Sequence, residues 1–213
     1  MTERLNFAVE EGFGAGKGRI IAGVDEVGRG PLAGPVTAAA VILPPAAVTA
    51  GRFADVADSK KLTEKDRNSL CRLICREATV RIGWATVAEI DQLNILQASL
   101  LAMRRALARL PQRPDLALID GKQLPPDLPI QAEAIVGGDA NVLSIAAASI
   151  VAKVERDGLM AVLDRRYPGY GWATNKGYPT PAHRAALIDL GVTPEHRRSF
   201  APVRAVAGSP GSA

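Results

Sequence analysis

Cysteine is scarce in this chain: two in 213 residues, Cys71 and Cys75. They lie four apart inside a segment of helical periodicity, where the backbone does not aim both Cβ atoms for a disulfide. No histidine or further cysteine stands nearby, which argues against a zinc site and leaves buried, reduced thiols in a reducing compartment as the expectation. Histidine is equally rare. His183 and His196 are the two present, and neither has the partner pattern of a nucleophilic triad, so both are expected to be structural or substrate-facing. The longest apolar run, Leu143 to Ala152, is too short to span a bilayer, and the first stretch has no apolar region of signal-peptide length. A soluble, cytoplasmic protein with no membrane partner is expected. A P-loop is missing as well: Lys17 is followed by Gly18 where a Ser or Thr should hold a metal, and this glycine cluster precedes a strand instead of following it. Residues 1–19 read as a flexible leader.

What the chain does have is 47% hydrophobic content, enough for one globular domain with room for a small appendage. It is organised around Ile20 to Gly34, IIAGVDEVGRGPLAG, where an apolar run delivers Asp25 and Glu26 into a glycine and proline turn. Ile20, Ile21 and Val24 suit a buried strand. Two neighbouring carboxylates at the lip of a core strand cost several kcal/mol unless something positive compensates, and a divalent metal is the leading candidate. Gly28, Arg29 and Gly30 let a backbone approach a ligand closely and present N–H groups to it, a grip suited to a sugar-phosphate chain. Gly28, Gly30 and Ala33 also fit the G-x-G-x-x-A spacing of a dinucleotide site. That reading needs a helix to open at the glycines, whereas Pro31, Pro35 and the run Val36 to Leu43 predict a turn feeding a second strand. A purely structural turn, its acids capping nearby backbone, stays open as the plain alternative.

Further along, Lys60 and Lys61 precede a helix opened by Thr63 with Asp66, a variant capping box, so both lysines sit on a loop as either a solvated charge run or a phosphate contact. Thr79 to Val87 alternates with Val80, Ile82 and Trp84 on one side and predicts a half-buried strand. One helix is expected over AEIDQLNILQASLLAMRRALARL, with Leu96, Leu100, Met103, Leu107 and Leu110 on its apolar face. Leu116, Leu118 and Ile119 form another strand ending in an acid, Asp120, beside Gly121 and Lys122. Side by side, strands ending in Asp25 and Asp120 could let two carboxylates share one ion, although an Asp before Gly is also a common turn residue. Ile130 to Val136 predicts a further strand, closed by Gly137, Gly138 and Asp139. The longest helix follows, its alanine-rich first half suited to close packing, with Ser149, Lys153 and Asp157 at successive i, i+4 positions on one face. A surface ion pair is the plain account of Lys153 and Asp157.

The net charge of +4 resides entirely in the last third. Residues 151–213 hold nine Lys or Arg against five Asp or Glu, while residues 1–150 hold seventeen of each. There Tyr167, Tyr170, Trp172 and Tyr178 interleave with Arg165, Arg166, Lys176, Arg197 and Arg198, a mixture suited to phosphate neutralisation and stacking.

Taken in order, GVDEVGRGPLAGPV, DSKKL, LIDGK, SIAAASIVAKVERD, GYPTPAH and HRRSF resemble the prokaryotic ribonuclease HII family (type 2 ribonuclease H), from about Ile20 to Phe200. Val27 stands where that family commonly has Ala. The sister ribonuclease HIII family carries an additional N-terminal domain, for which the short leader leaves no room. The resemblance implies an α/β, ribonuclease H-like fold: a mixed five-stranded sheet flanked by helices, with a C-terminal helical region. A catalytic domain over 20–200 and a disordered tail over 201–213 follow. It also implies Mg2+ or Mn2+ as cofactor and endonucleolytic hydrolysis of RNA in RNA–DNA hybrids, including single ribonucleotides embedded in duplex DNA. Carried over by motif, Asp25, Glu26, Asp120 and Asp157 would be the catalytic and metal-binding acids, although an ideal strand sends Glu26 to the face opposite Asp25. In the implied two-metal scheme one ion generates the attacking hydroxide and the other stabilises the leaving 3′ oxygen, giving 3′-hydroxyl and 5′-phosphate ends. Gly28, Arg29 and Gly30 would read the ribose 2′-hydroxyl, Tyr178 would pack on the neighbouring deoxyribose, and Lys60 and Lys153 would contact substrate.

Two rival functions carry less of the sequence. A non-catalytic hybrid-binding module gains nothing from four acids facing phosphate; a metal-dependent nuclease acting on DNA, or an exonuclease of related fold, would differ in substrate. The tail has no clamp-binding sequence of the Q-x-x-L-x-x-F-F type, so a monomer is expected.

Overall fold

The computed structural model describes residues 5–60 and 62–208, leaving Lys61 and both chain ends outside. In chain order the elements are α1 (Ala8–Gly12), β1 (Ile21–Val27), β2 (Val36–Ile42), α2 (Pro45–Thr49), α3 (Glu64–Glu77), β3 (Thr79–Ala85), α4 (Val87–Leu93) and α5 (Ile95–Ala108). Then come β4 (Leu116–Asp120), β5 (Gln131–Ile135), α6 (Gly138–Asn141), α7 (Leu143–Arg166), α8 (Trp172–Asn175), α9 (Pro181–Leu190) and α10 (Ala201–Ala207). These divide into two compact units. The first comprises the chain up to Val27, Thr37–Trp84 and Leu100–Val154; the second comprises Gly28–Val36, Ala85–Ser99 and the chain from Glu155.

The first unit is built on a mixed five-stranded sheet in the order β3-β2-β1-β4-β5. β1 pairs antiparallel with β2 and parallel with β4, and β4 pairs parallel with β5. β1 is apolar and buried from Ile21 to Val24 before it reaches Asp25 and Glu26, and β2 is buried along its whole length with Thr37 its one polar residue, as expected of central strands covered on both faces. The alanine-rich start of α7 allows the close approach expected of it: Ala146, Ala147, Ala148 and Ala152 are fully buried. Its partner on β1 is Gly23. A Cβ built there would stand 2.2 Å from the Ser144 carbonyl carbon, so only glycine lets strand and helix backbones touch.

Several expectations need correction. The described part of the expected flexible leader, residues 5–19, is ordered: α1 docks on this unit, Phe7 and Ala15 join its core, and the buried Glu10 carboxylate accepts a hydrogen bond from Ser144 N (2.7 Å) at the start of α7, while residues 1–4 lie outside the described residues. An acid there completes orphan donors at a helix N-terminus. β3 forms, but Gly83 and Ala85 turn inward while Trp84 is 40% exposed under the Arg109 guanidinium. The backbone of α5 passes so near Gly83, with Ala102 O 2.1 Å from a built Cβ, that this face has no room for an indole. Cys71 is buried and Cys75 exposed, and the two do not form a disulfide. The Thr63 cap is present, its hydroxyl accepting from Asp66 N (3.2 Å).

The long helix expected after Ala88 is two. Asn94 adopts φ 70° between α4 and α5, and its side chain accepts from Leu96 N (3.0 Å) and Gln97 N (3.1 Å), opening a new helix. α4 belongs to the second unit, where Asp91 accepts hydrogen bonds from Arg198 N and Ser199 N, both at 2.9 Å. That unit has its own small cores, one of Ala33, Met160, Leu163, Tyr170 and Trp172, another of Leu32, Leu187 and Val203. Val203 lies on α10, so the tail is ordered through that helix, and residues 209–213 fall outside the described residues. No helix of the described residues is long and apolar enough to cross a membrane.

The Gly23 contact sets a test of the packing. Gly23→Ala should destabilise the protein by roughly 2–3 kcal/mol or more through backbone overpacking; an unchanged denaturant midpoint would show that α7 does not rest on β1 as described.

Candidate active site

β1 and β4 run parallel, so their carboxyl ends meet at one edge of the first unit. Their pairing stops at Val24 and Ile119, which leaves the β4 side of β1 open beside Asp25 and Glu26. One carboxylate oxygen from each of Asp25, Glu26 and Asp120 lies within 4.8 Å of the other two. Strand alternation does not separate the adjacent acids here: both still pair with β2, Asp25 with Ala39 and Glu26 with Ala38, but beyond Val24 the β4 side of the strand is unpaired and the longer Glu26 side chain reaches the same space as Asp25. Asp25 is buried, with its Oδ1 accepting from Glu26 N (2.7 Å). Burial, then the charges of Glu26 and Asp120, hold its pKa well above the usual carboxylate range, against a hydrogen bond from Ser149 that lowers it. Asp120 is also raised, by burial first and by Asp139 second. Both shifts have the sign of acids crowded together without a cation. Their ionisation opposes folding increasingly as pH rises through the folded-state values.

The support around these acids is specific. Asp120 Oδ1 accepts from Gly138 N (2.7 Å) at the start of α6, fixing the β4 terminus. Ser149 on α7 bonds Ser59 (2.9 Å) in the DSKKL segment, which Arg67 ties to α3 through the Ser59 and Leu62 carbonyls. Lys60, whose side chain is 79% exposed, donates to Asp139 Oδ2 at 2.8 Å. Asp139 itself is buried and was not among the acids expected here. A signal for it existed: it stands shortly after the end of β5, beyond Val136 and two glycines, as Asp25 and Asp120 stand near the ends of β1 and β4. A cleft of about 300 Å³ lined by Leu107, Leu110, Leu128 and Ile130 contains none of these acids.

In the second unit the Gly28–Gly30 loop is organised by two fully buried arginines. Arg197 donates to Gly28 O (2.6 Å), Arg29 O (3.0 Å) and Gly34 O (2.9 Å). Arg156 donates to Ala33 O (3.1 Å), Pro35 O (3.0 Å) and Lys176 O (3.0 Å). Burial depresses both guanidinium pKa values, to about 9 for Arg197 and about 10 for Arg156. Across a trans peptide the C=O and the following N–H point oppositely, so the amides of Arg29 and Gly30 face away from Arg197. Gly28 has φ +95°, and a Cβ on it would strike Arg156 Nε at 2.1 Å. Tyr178 is part of the same unit: a Cβ on Gly30 would stand 3.3 Å from its ring, which is 39% exposed. Neither histidine is substrate-facing; both are buried in this unit. Lys153 and Asp157 lie one and two turns beyond Ser149 on α7, with Asp157 in the portion that belongs to the second unit.

An all-oxygen donor set with two upward-shifted carboxyls fits a hard divalent cation such as Mg2+ or Mn2+, and Asp25, Glu26 and Asp120 are the residues that would hold it. The family model described as Ribonuclease HII matches residues 22–203. A ribonuclease HII of Paracoccus denitrificans is 58% identical over 201 residues, covering 94% of each chain. The crystal structure of ribonuclease H2 from Pyrococcus horikoshii superposes with a TM-score of 0.76 at 27% identity, over 88% of this chain and 97% of that one. The Bst ribonuclease HIII solved in complex with Mn2+ shares the fold, with a TM-score of 0.72 at 19% identity over 89% of this chain and 70% of that one. With the model spanning nearly the whole sequence and a relative this similar, the chain belongs to the ribonuclease HII family of hydrolytic endoribonucleases.

Proposed function

We propose that this enzyme cuts the RNA strand of RNA–DNA hybrids, and DNA duplexes at a single embedded ribonucleotide, leaving 3′-hydroxyl and 5′-phosphate ends. The observation that carries the reading is the convergence of Asp25, Glu26 and Asp120 within 4.8 Å at the ends of neighbouring parallel strands. Asp25, Glu26 and Asp120 would hold divalent cations, Mg2+ or Mn2+ in the two-metal scheme, which when bound would supply Lewis-acid activation of water and charge stabilisation at the leaving 3′ oxygen. The protein's part is to hold those ions and the scissile phosphate in register. Asp25 is oriented by Ser149 and Glu26 N; Asp120 is oriented by the start of α6. The amides of Arg29 and Gly30, fixed from behind by Arg197, read the 2′-hydroxyl that separates RNA from DNA. Tyr178 packs on the adjacent deoxyribose, and Lys60 and Lys153 neutralise phosphate. A duplex with one ribonucleotide should be cut on its 5′ side in a metal-dependent manner, while an all-DNA control stays intact. Tyr178→Ala should lower cleavage of that duplex far more than metal binding; cutting of the all-DNA control would contradict the substrate assignment.

The fourth acid has two candidates. Motif order assigns Asp157. Asp139 is favoured by a specific observation: it is buried beside Asp120, raises its pKa, and is paired with Lys60. The two are separated by asparagine substitution, with metal binding and single-turnover cleavage measured for each. The residue acting as a ligand should lose on the order of a hundredfold or more in rate and weaken metal binding, the other within about tenfold.

A further inference from the structure

The second unit buries a polar cluster that neither the acids nor the Gly28–Gly30 loop uses. Trp172 Nε1 lies 2.9 Å from His183 Nε2, and His183 Nδ1 lies 2.9 Å from Tyr178 O. His196 Nε2 is 3.3 Å from His183 Nε2, while His196 Nδ1 takes a hydrogen bond from Thr193 N at 3.0 Å. Both imidazoles are fully enclosed, at 0% and 1% exposure, so their protons cannot be shared with bulk water. The tautomers follow from donor chemistry. An indole N–H and a backbone N–H can only donate, and a carbonyl can only accept. His183 therefore carries its proton on Nδ1 and gives it to Tyr178 O, and its Nε2 accepts from Trp172. His196 accepts at Nδ1, so its proton sits on Nε2 and is directed at His183 Nε2. All four ring nitrogens are used, and the neutral form of each ring is the one the cluster accommodates. Burial accordingly depresses both histidine pKa values, His196 to about 4.

The output of this cluster is one backbone carbonyl. Tyr178 O also accepts from Thr180 N (2.8 Å), and Tyr178 N donates to Asn175 O (2.9 Å), so both sides of the residue are held. It is reached through Lys176 at φ 53° and Gly177 at φ 81°, consecutive left-handed residues that would not keep one orientation without external anchors. The anchors exist on three sides: Arg156 donates to Lys176 O, Leu32 N donates to Gly177 O (2.7 Å), and His183 donates to Tyr178 O. The first two come from residues that also support the Gly28–Gly30 turn. The third comes from the first turn of α9, stiffened by Trp172, whose ring stacks on Tyr170 with centroids 5.1 Å apart.

We propose that His183, backed by Trp172 and His196, is a positioning residue for substrate recognition: its Nδ1 proton sets the Tyr178 backbone and so aims the exposed tyrosine ring at the sugar beside the scissile bond. The inference rests on Tyr178 being a substrate contact. A histidine that merely filled the core would tolerate either amide replacement equally. A positioning histidine would not, because asparagine can place a donor near the Nδ1 position, whereas glutamine places its amide near Nε2.

The test is steady-state kinetics of His183→Asn, His183→Gln and Tyr178→Ala on a duplex with one embedded ribonucleotide, alongside melting curves. His183→Gln should raise KM about tenfold with kcat changed less than about twofold, and His183→Asn should recover most of that loss at a similar melting temperature. Equal KM values for the two amides, with Tyr178→Ala still impaired, would overturn the role of His183 while leaving Tyr178 as a contact. A normal KM for Tyr178→Ala would overturn the tyrosine assignment and this inference together. Should both position-183 variants fail to fold, Trp172→Phe, which removes the indole donor together with part of the buried ring, should raise KM about threefold at constant kcat; an unchanged KM there would overturn the proposal.

Discussion

Repulsion among Asp25, Glu26 and Asp120 is the constraint around which the first unit is built. Like charges within 4.8 Å of each other cost on the order of 3 kcal/mol per pair at the effective dielectric of a partly buried site. No unfolded chain would gather them. The parallel pairing of β1 and β4 forces the carboxylates to one sheet edge, and that pairing is secured by the contact of Gly23 with the first turn of α7. Around the acids, Ser149 and the amides of α6 supply hydrogen bonds without supplying full compensation, and the cluster retains its appetite for a hard cation.

The second unit solves a different problem with opposite charge. Two buried guanidiniums, Arg156 and Arg197, are spent on backbone carbonyls of residues 28–35 and 176. A loop rich in glycine has many conformations open to it. Five arginine hydrogen bonds to its carbonyls select one of them, and the amides of Arg29 and Gly30 then face away from Arg197.

Much of this was legible in the sequence because the chain repeats one device, an apolar strand ending in an acid next to glycine. Asp25 and Asp120 were readable from it, and Asp139 bears the same mark after β5. Its strand differs from the other two in being mostly exposed, and Asp139 lies beyond its end, not within it. Glu26 could not be settled by alternation alone, since where a strand stops pairing depends on its neighbour. The break at Asn94 was hidden because apolar residues keep a three and four spacing across it; only the side-chain cap betrays it. Trp84 misled for a related reason: alternation tells which residues share a face, but not which face a helix covers. The leader and tail looked polar and glycine-rich, yet Phe7, Glu10 and Val203 suffice to dock them. Arg156 and Arg197 gave no sign in sequence of being buried, because guanidiniums bonded to carbonyls need no acidic partner nearby in the chain.

The central claim, that the fold holds a repulsive carboxylate cluster which a divalent cation relieves, is tested most directly by thermal unfolding of the wild type and Asp25→Asn with and without Mn2+. Without metal, the asparagine variant should melt higher, by about 2–4 °C for each kcal/mol of repulsion removed in a chain of this size. With Mn2+ the wild type should rise and the variant should scarcely move. A variant that melts lower than the wild type without metal, together with a wild type indifferent to Mn2+, would contradict the account.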